Sequence, residues 1–154
     1  VMNLRVHAVC VPSFEQALTF QMVLSRTRQA VLAATGEDGR ALTAALVYEA
    51  LSSASERQGL EVEDLGLVYR AEINAGRMIQ RDIWGRYSPD LGRVLAEREL
   101  LVRGKAEGWQ SLRAAWITAM QMPVLVREGA PRGWKRHAQI DEEKATAIAD
   151  AAWE

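Results

Sequence analysis

Between Gly59 and Trp84 the chain runs GLEVEDLGLVYRAEINAGRMIQRDIW, and this stretch constrains the fold more than any other. Gly59 is a natural helix stop, since glycine ends a helix without a Cβ penalty. The acidic EVED run that follows suits the positive end of a helix dipole. Leu65, Val68, Tyr69, Ile73, Gly76, Ile79, Gln80, Ile83 and Trp84 then fall at helical spacing. The pattern predicts a long amphipathic helix from about Glu61 to about Tyr87, with Gln80 on a face that should be buried.

Punctuation elsewhere predicts more helices. Ser13 with Gln16 three residues on is a capping-box pattern, opening a helix that Gly36 closes near Thr35. Leu18, Met22, Ser25 and Gln29 fall along one row of it, with Phe20, Leu24, Val31 and Ala34 nearby. After the GEDGR loop (36–40) a second helix spans about 41–57. Ser88-Pro89-Asp90 starts a fourth, with a break or bend expected between Gly104 and Gly108. A fifth covers roughly 108–121, with Trp109 and Trp116 on its apolar stripe, and Asp141 caps a last one with Ala145, Ile148, Ala149, Ala152 and Trp153 as its apolar side. Leu4, Val6, Ala8 and Cys10 alternate at period two, a strand signal that could pair with the apolar run 124–126.

The expected fold is therefore all-α, a bundle of about six helices with room for one minor strand pair. It forms one domain over 1–154: an arm at 1–12, a three-helix core at 13–87, additional helices at 88–122, and a basic loop with a C-terminal helix at 123–154. With 49% hydrophobic and 25% charged residues the chain can bury a sizeable core. The net charge of −1 gives no overall reason to expect nucleic acid or an anionic membrane, although residues 70–105 hold eight basic and five acidic side chains. No run reaches the length of a membrane span, and the first residues lack the pattern of a secretory leader. A cytoplasmic protein is expected; a chain already relieved of a leader would read the same.

Familiar catalytic signatures are missing. His7 and His137 lie far apart, and neither belongs to a metal-ligand spacing, so no metal and no cofactor are expected. Cys10, the single cysteine, excludes an internal disulfide and reads as a structural thiol. No Gly-x-Ser-x-Gly elbow occurs, and no carboxylate pair stands out as an acid/base couple. An enzyme built from this chain would work by shape and charge, which suits a reaction needing only a clamped substrate and placed cations.

In this respect the chain resembles the all-helical chorismate mutases, in particular their secreted subclass. Gly59-Leu60 stands where that family has the stop before its third helix, and VYRAEINAGRMIQ resembles that helix in spacing. Gly76 falls at the family's Ser/Thr position, Gln80 at its Gln/Glu position, and Trp84 near a tryptophan of the subclass. Arg98, in the ERELL run, matches an arginine from a later helix, and a shifted register supplies Arg26 for the arginine of helix one. An ungapped register places Thr43 and Ala44 where the family carries an Arg-Glu pair.

The resemblance implies that a small carboxylated molecule such as chorismate is bound or rearranged between helices one, three and four. Gln80 and Arg98 would be catalytic, with Arg26, Arg28 and Arg77 binding the substrate. Two other readings follow from composition alone. One is a non-catalytic interaction protein, dimerising through the Trp109 and Trp116 stripe. The other is an anion or nucleic-acid binder using the basic loop 127–137.

Overall fold

The stretch from Gly59 to Trp84 folds as strands, and this overturns the all-α expectation. The computed structural model describes residues 3–36, 42–122 and 140–153. Its elements are β1 (Leu4–His7), α1 (Phe14–Thr35), α2 (Ala44–Glu56), a 3₁₀ turn (Val62–Leu65), β2 (Val68–Asn74), α3 (Gly76–Ile79), β3 (Asp82–Trp84), α4 (Leu91–Glu107), α5 (Trp109–Gln121) and α6 (Glu142–Asp150). The structure is mostly helical, but it also holds a three-stranded sheet in the order β1-β2-β3.

Local chemistry explains why the predicted third helix fails. The EVED run does begin a helical turn, in which the Glu61 N–H donates to the Asp64 carboxylate at 3.2 Å. Gly66 stops it in the left-handed conformation at φ 52°, and Val9 packs so close that a Cβ there would lie 3.0 Å from the valine Cβ. Beyond it, Tyr69, Ala71 and Ile73 are buried while Arg70 and Glu72 are half-buried and Asn74 is exposed. That is the period of two that a strand demands. At the far end the Asn74 side chain accepts the Gly76 N–H at 3.1 Å, an Asx turn that leads into the single turn α3.

Two compact units divide the chain: Val6–Val68, and Asn3–Arg5 with Tyr69–Glu154. In the first, α1 packs against α2 and the 3₁₀ turn packs against α2. Ser13 caps α1 by accepting the Gln16 N–H, and Thr43 caps α2 by accepting that of Leu46. The buried row of α1 is Phe20, Val23, Thr27 and Val31, and the Leu18–Met22 row lies on its exposed side. Within this unit Val47, Leu51 and Ala54 of α2 complete the core beside Leu65.

In the second unit α4 packs on α5, and α5 on α6. The true N-cap of α4 is Asp90, whose carboxylate accepts the Arg93 N–H at 3.0 Å. Ser88, fully buried, instead accepts the Asp90 N–H. α4 runs unbroken through Gly104, where Leu112 and Ala115 of α5 pass close, and ends only at Gly108. Trp116 is buried and Trp109 stacks on Trp153 with centroids 5.1 Å apart. Much of the tryptophan stripe is thus covered inside this unit. The run 124–126 and the basic loop 127–137 lie outside the described residues. Among those residues no helix is long and apolar enough to cross a membrane.

Candidate functional site

The strand pairing contains an irregularity that builds the most unusual polar cluster of the second unit. β2 and β3 are antiparallel, with Glu72 opposite Trp84 and Ile73 opposite Ile83. The ladder continues past β3, where Gly85 N donates to Ala71 O at 2.9 Å and Tyr69 and Ser88 exchange hydrogen bonds at 2.8 and 3.0 Å. From Ala71 to Tyr69 is two residues, but from Gly85 to Ser88 is three. One residue is extra, which makes this a β-bulge.

The bulge reverses the alternation. Without it, Ile83 would share its face with Gly85 and Tyr87, and Arg86 would point outward. With it, Ile83, Arg86 and Ser88 are all buried, and Arg86 is only 9% exposed. Tyr87 is turned out instead and stacks on Arg70, which also lies over Trp84, at 4.5 and 4.4 Å from the two ring centroids.

Arg86 turned inward meets Glu97. This glutamate lies on α4 in line with Val94 and Leu101, and it is 1% exposed. Gly85 gives the carboxyl its space, since a Cβ there would overlap Glu97 Oε1 and come 2.8 Å from its Cδ. Among the described residues neither carboxylate oxygen completes a hydrogen bond of ordinary geometry. The Arg86 backbone amide nonetheless acts on the carboxylate and favours its charged form. We read this as an amide directed at Glu97 but too long or bent for a full bond.

Burial dominates the electrostatics. Desolvation pushes the Glu97 carboxyl up to about 7, against the pull of Arg93, the Arg86 amide and the Arg86 charge. Arg86 is itself held below its ordinary value, first by burial and then by the like charge of Arg93, with Glu97 opposing. In a satisfied ion pair the acid would fall and the base rise. Here both move the other way, so desolvation outweighs their attraction.

Arg93 completes the cluster. It precedes Glu97 by one helical turn, and its Nη2 donates to the Met122 carbonyl at 3.2 Å, while Nε and Nη1 have no partner among the described residues. Trp116 Nε1 is also buried without a hydrogen bond among the described residues. Because Arg93 meets Met122 and Gly104 meets Leu112, α4 and α5 run antiparallel, and Glu97 lies about level with Ala119, one turn from Trp116. Buried polar groups are nearly always satisfied, so such a concentration of unused capacity calls for an explanation.

The residues expected from the sequence are placed differently. Gln80 is exposed and ends α3 in the left-handed conformation at φ 55°. Its N–H still donates to Gly76 O at 3.1 Å, but as the left-handed cap it ends the turn, and the long third helix expected to carry it does not form. Arg77 is exposed on the same short turn, and Arg26 and Arg28 are exposed on α1 in the other unit. Arg98 is buried on α4, at 7% exposure. Cys10 is exposed and free. Sequence reasoning missed Arg86, Arg93 and Glu97, although one signal was present: Glu97 stands on the same face as Leu91, Val94 and Leu101, where a carboxylate does not belong without cause.

Against protein-family models, curated proteins and solved structures, the chain finds no match.

Proposed function

We propose that this protein binds a small carboxylated molecule at the Arg86–Arg93–Glu97 cluster, with Glu97 able to take up or release a proton there. The observation that carries the reading is the state of Glu97: a buried carboxyl, raised to about 7, beside two arginines. With Glu97 ionised the three groups hold one net positive charge, and with Glu97 protonated they hold two. A ligand carboxylate would relieve that excess and accept from Arg93 Nε or Nη1 as a charge-assisted hydrogen bond. A carboxyl poised near neutrality is also what proton transfer requires.

Support for the chorismate reading is narrower. The helix on which Gln80 was to face a substrate does not form, so any such ligand would meet arginines of the β3–α4 region instead. Chorismate remains a carboxylated compound worth including among others.

A ligand screen tests the proposal. Thermal-shift and calorimetric titrations at pH 6 and pH 8 would use small mono- and dicarboxylates, chorismate among them, and chorismate turnover would be followed by absorbance. We expect binding that is tighter at pH 6, where Glu97 is mostly neutral, and that is lost in Arg93→Met. Turnover would extend the reading to rearrangement. No binding by any carboxylate at either pH would sink it.

A further inference from the structure

The first unit carries a surface that its own packing does not explain. α1 has 22 residues and is about 33 Å long at the usual rise. Its buried residues Phe20, Val23, Thr27 and Val31 face one way. At 100° per residue, Phe14, Leu18 and Met22 lie on the opposite side, and they are 81%, 50% and 38% exposed. Ser25 and Gln29 continue that stripe and are exposed too. A surface helix ordinarily presents charges there.

We infer that this stripe is the contact face of a homodimer, in which α1 packs antiparallel against α1 of a second copy about a two-fold axis near Gln21 and Met22. The charges beside the stripe select that partner and that direction. Glu15 and Arg26 are eleven residues apart, about three turns, so both lie on the same flank. Among the described residues neither has an ion pair. In an antiparallel pair, residues on one flank meet the same flank of the partner at the opposite end. Each Glu15 then comes beside the partner's Arg26, twice over by symmetry. A parallel two-fold pair would set this flank against the partner's other flank, which puts Arg28 about level with Arg26 and no cation level with Glu15. Phe14 would cover the partner's Gln29 and Leu18 its Ser25, with Met22 beside Gln21 at the centre. The face is thus complementary to itself in one orientation. This inference is independent of the Glu97 cluster and gives Arg26 a role that substrate binding does not.

Light scattering and sedimentation over a wide concentration range provide the test. We expect a dimer of modest, micromolar-range affinity, since only three large apolar side chains per copy take part. Leu18→Glu should weaken it at least about tenfold with no change in melting temperature at dilution, because Leu18 is half exposed in the monomer. Glu15→Arg and Arg26→Glu should each weaken dimerisation, and the double charge swap should restore it. Restoration would be hard to reconcile with any other face. The inference is overturned by a wild-type protein that stays monomeric throughout. It is equally overturned by a dimer indifferent to Leu18→Glu and to both single charge changes, or by a monomer that binds lipid vesicles through Leu18.

Discussion

Two glutamates of the second unit lie beside arginines, and they respond to them in opposite directions. On the outer face of the sheet, Glu72 is gripped by Arg5 through Nε and, at 2.8 Å, through Nη2. The bond from Arg5 holds the Glu72 carboxyl below its usual range, and Arg5 is raised in return. Both partners agree, as they should in a hydrogen-bonded pair that stays open to solvent on the Arg5 side. Glu97, behind the bulge, has cations near it as well, yet burial carries it up to about 7 and carries Arg86 down. An arginine alone therefore does not determine what a carboxylate does. Access to water and completed hydrogen bonds decide it. Glu72 stays charged at any physiological pH, whereas Glu97 changes state near neutrality.

The strongest way to break this contrast is Arg86→Met. Removing one partner of a buried charge pair costs on the order of 3 kcal/mol because the other is left uncompensated. That cost should be seen at pH 8, where Glu97 is ionised, and should shrink markedly at pH 5, where it is neutral. Urea unfolding at the two pH values measures it. Equal losses at both would mean that Arg86 supports the unit by packing alone.

Glu97→Gln is expected to act next most strongly, and in the stabilising direction. The folded carboxyl holds its proton up to about 7 while the unfolded one releases it near 4.5. Between those values the folded state binds more protons, so wild-type stability falls as pH rises through the window, and it stays low above it. The full difference is at most roughly 3 kcal/mol, less whatever the interior relaxes. The glutamine variant should lack this slope and be the more stable protein at pH 8, with little difference at pH 4. Parallel stability profiles for the two proteins would remove Glu97 as the titrating group.

Gly85→Ala probes the same contact sterically. The added methyl must displace a fully buried carboxyl, and overpacking of that kind costs about 1–3 kcal/mol. We expect a loss near the middle of that range, with most of it rescued in a background where Glu97 is replaced by alanine. A neutral outcome in the wild-type background would show that Glu97 has room to move.

Helix boundaries were far more legible in the sequence than this site. Ser13, Gly36, Gly59 and Asp141 act locally through backbone hydrogen bonds or backbone freedom, so the boundaries of α1 and the start of α6 follow from a few neighbouring residues. VYRAEIN is ambiguous in the same terms, because Tyr69 and Ile73 fit a helix while Tyr69, Ala71 and Ile73 fit a strand. Gly66, Asn74 and Gly85 settle it, but they read as interruptions only once a strand is considered. With β2 and β3 taken as helix, the three-against-two count that creates the bulge could not arise, and nothing turned Arg86 inward. Burial of α1 on its Phe20–Val31 side was equally hidden, since both sides of that helix carry large apolar residues. Propensity cannot say which one meets α2.

The smallest expected effect belongs to the outer pair, and it sharpens the contrast by its sign. Glu72 has a lowered carboxyl, so its contribution is complete above the unfolded value of 4.5 and is lost as pH falls through the folded value. Glu72→Gln should therefore destabilise slightly at pH 7, where Glu97→Gln stabilises. The change should be no more than a few degrees in Tm, reduced further by salt, because Arg5 stands largely in solvent and exposed pairs contribute little. Thermal melts of the two variants at pH 7, at low and high ionic strength, are enough to compare them. If Glu72→Gln matched Glu97→Gln in sign, or if its effect were indifferent to salt while large, the division between a solvated pair and a buried titrating one would not hold.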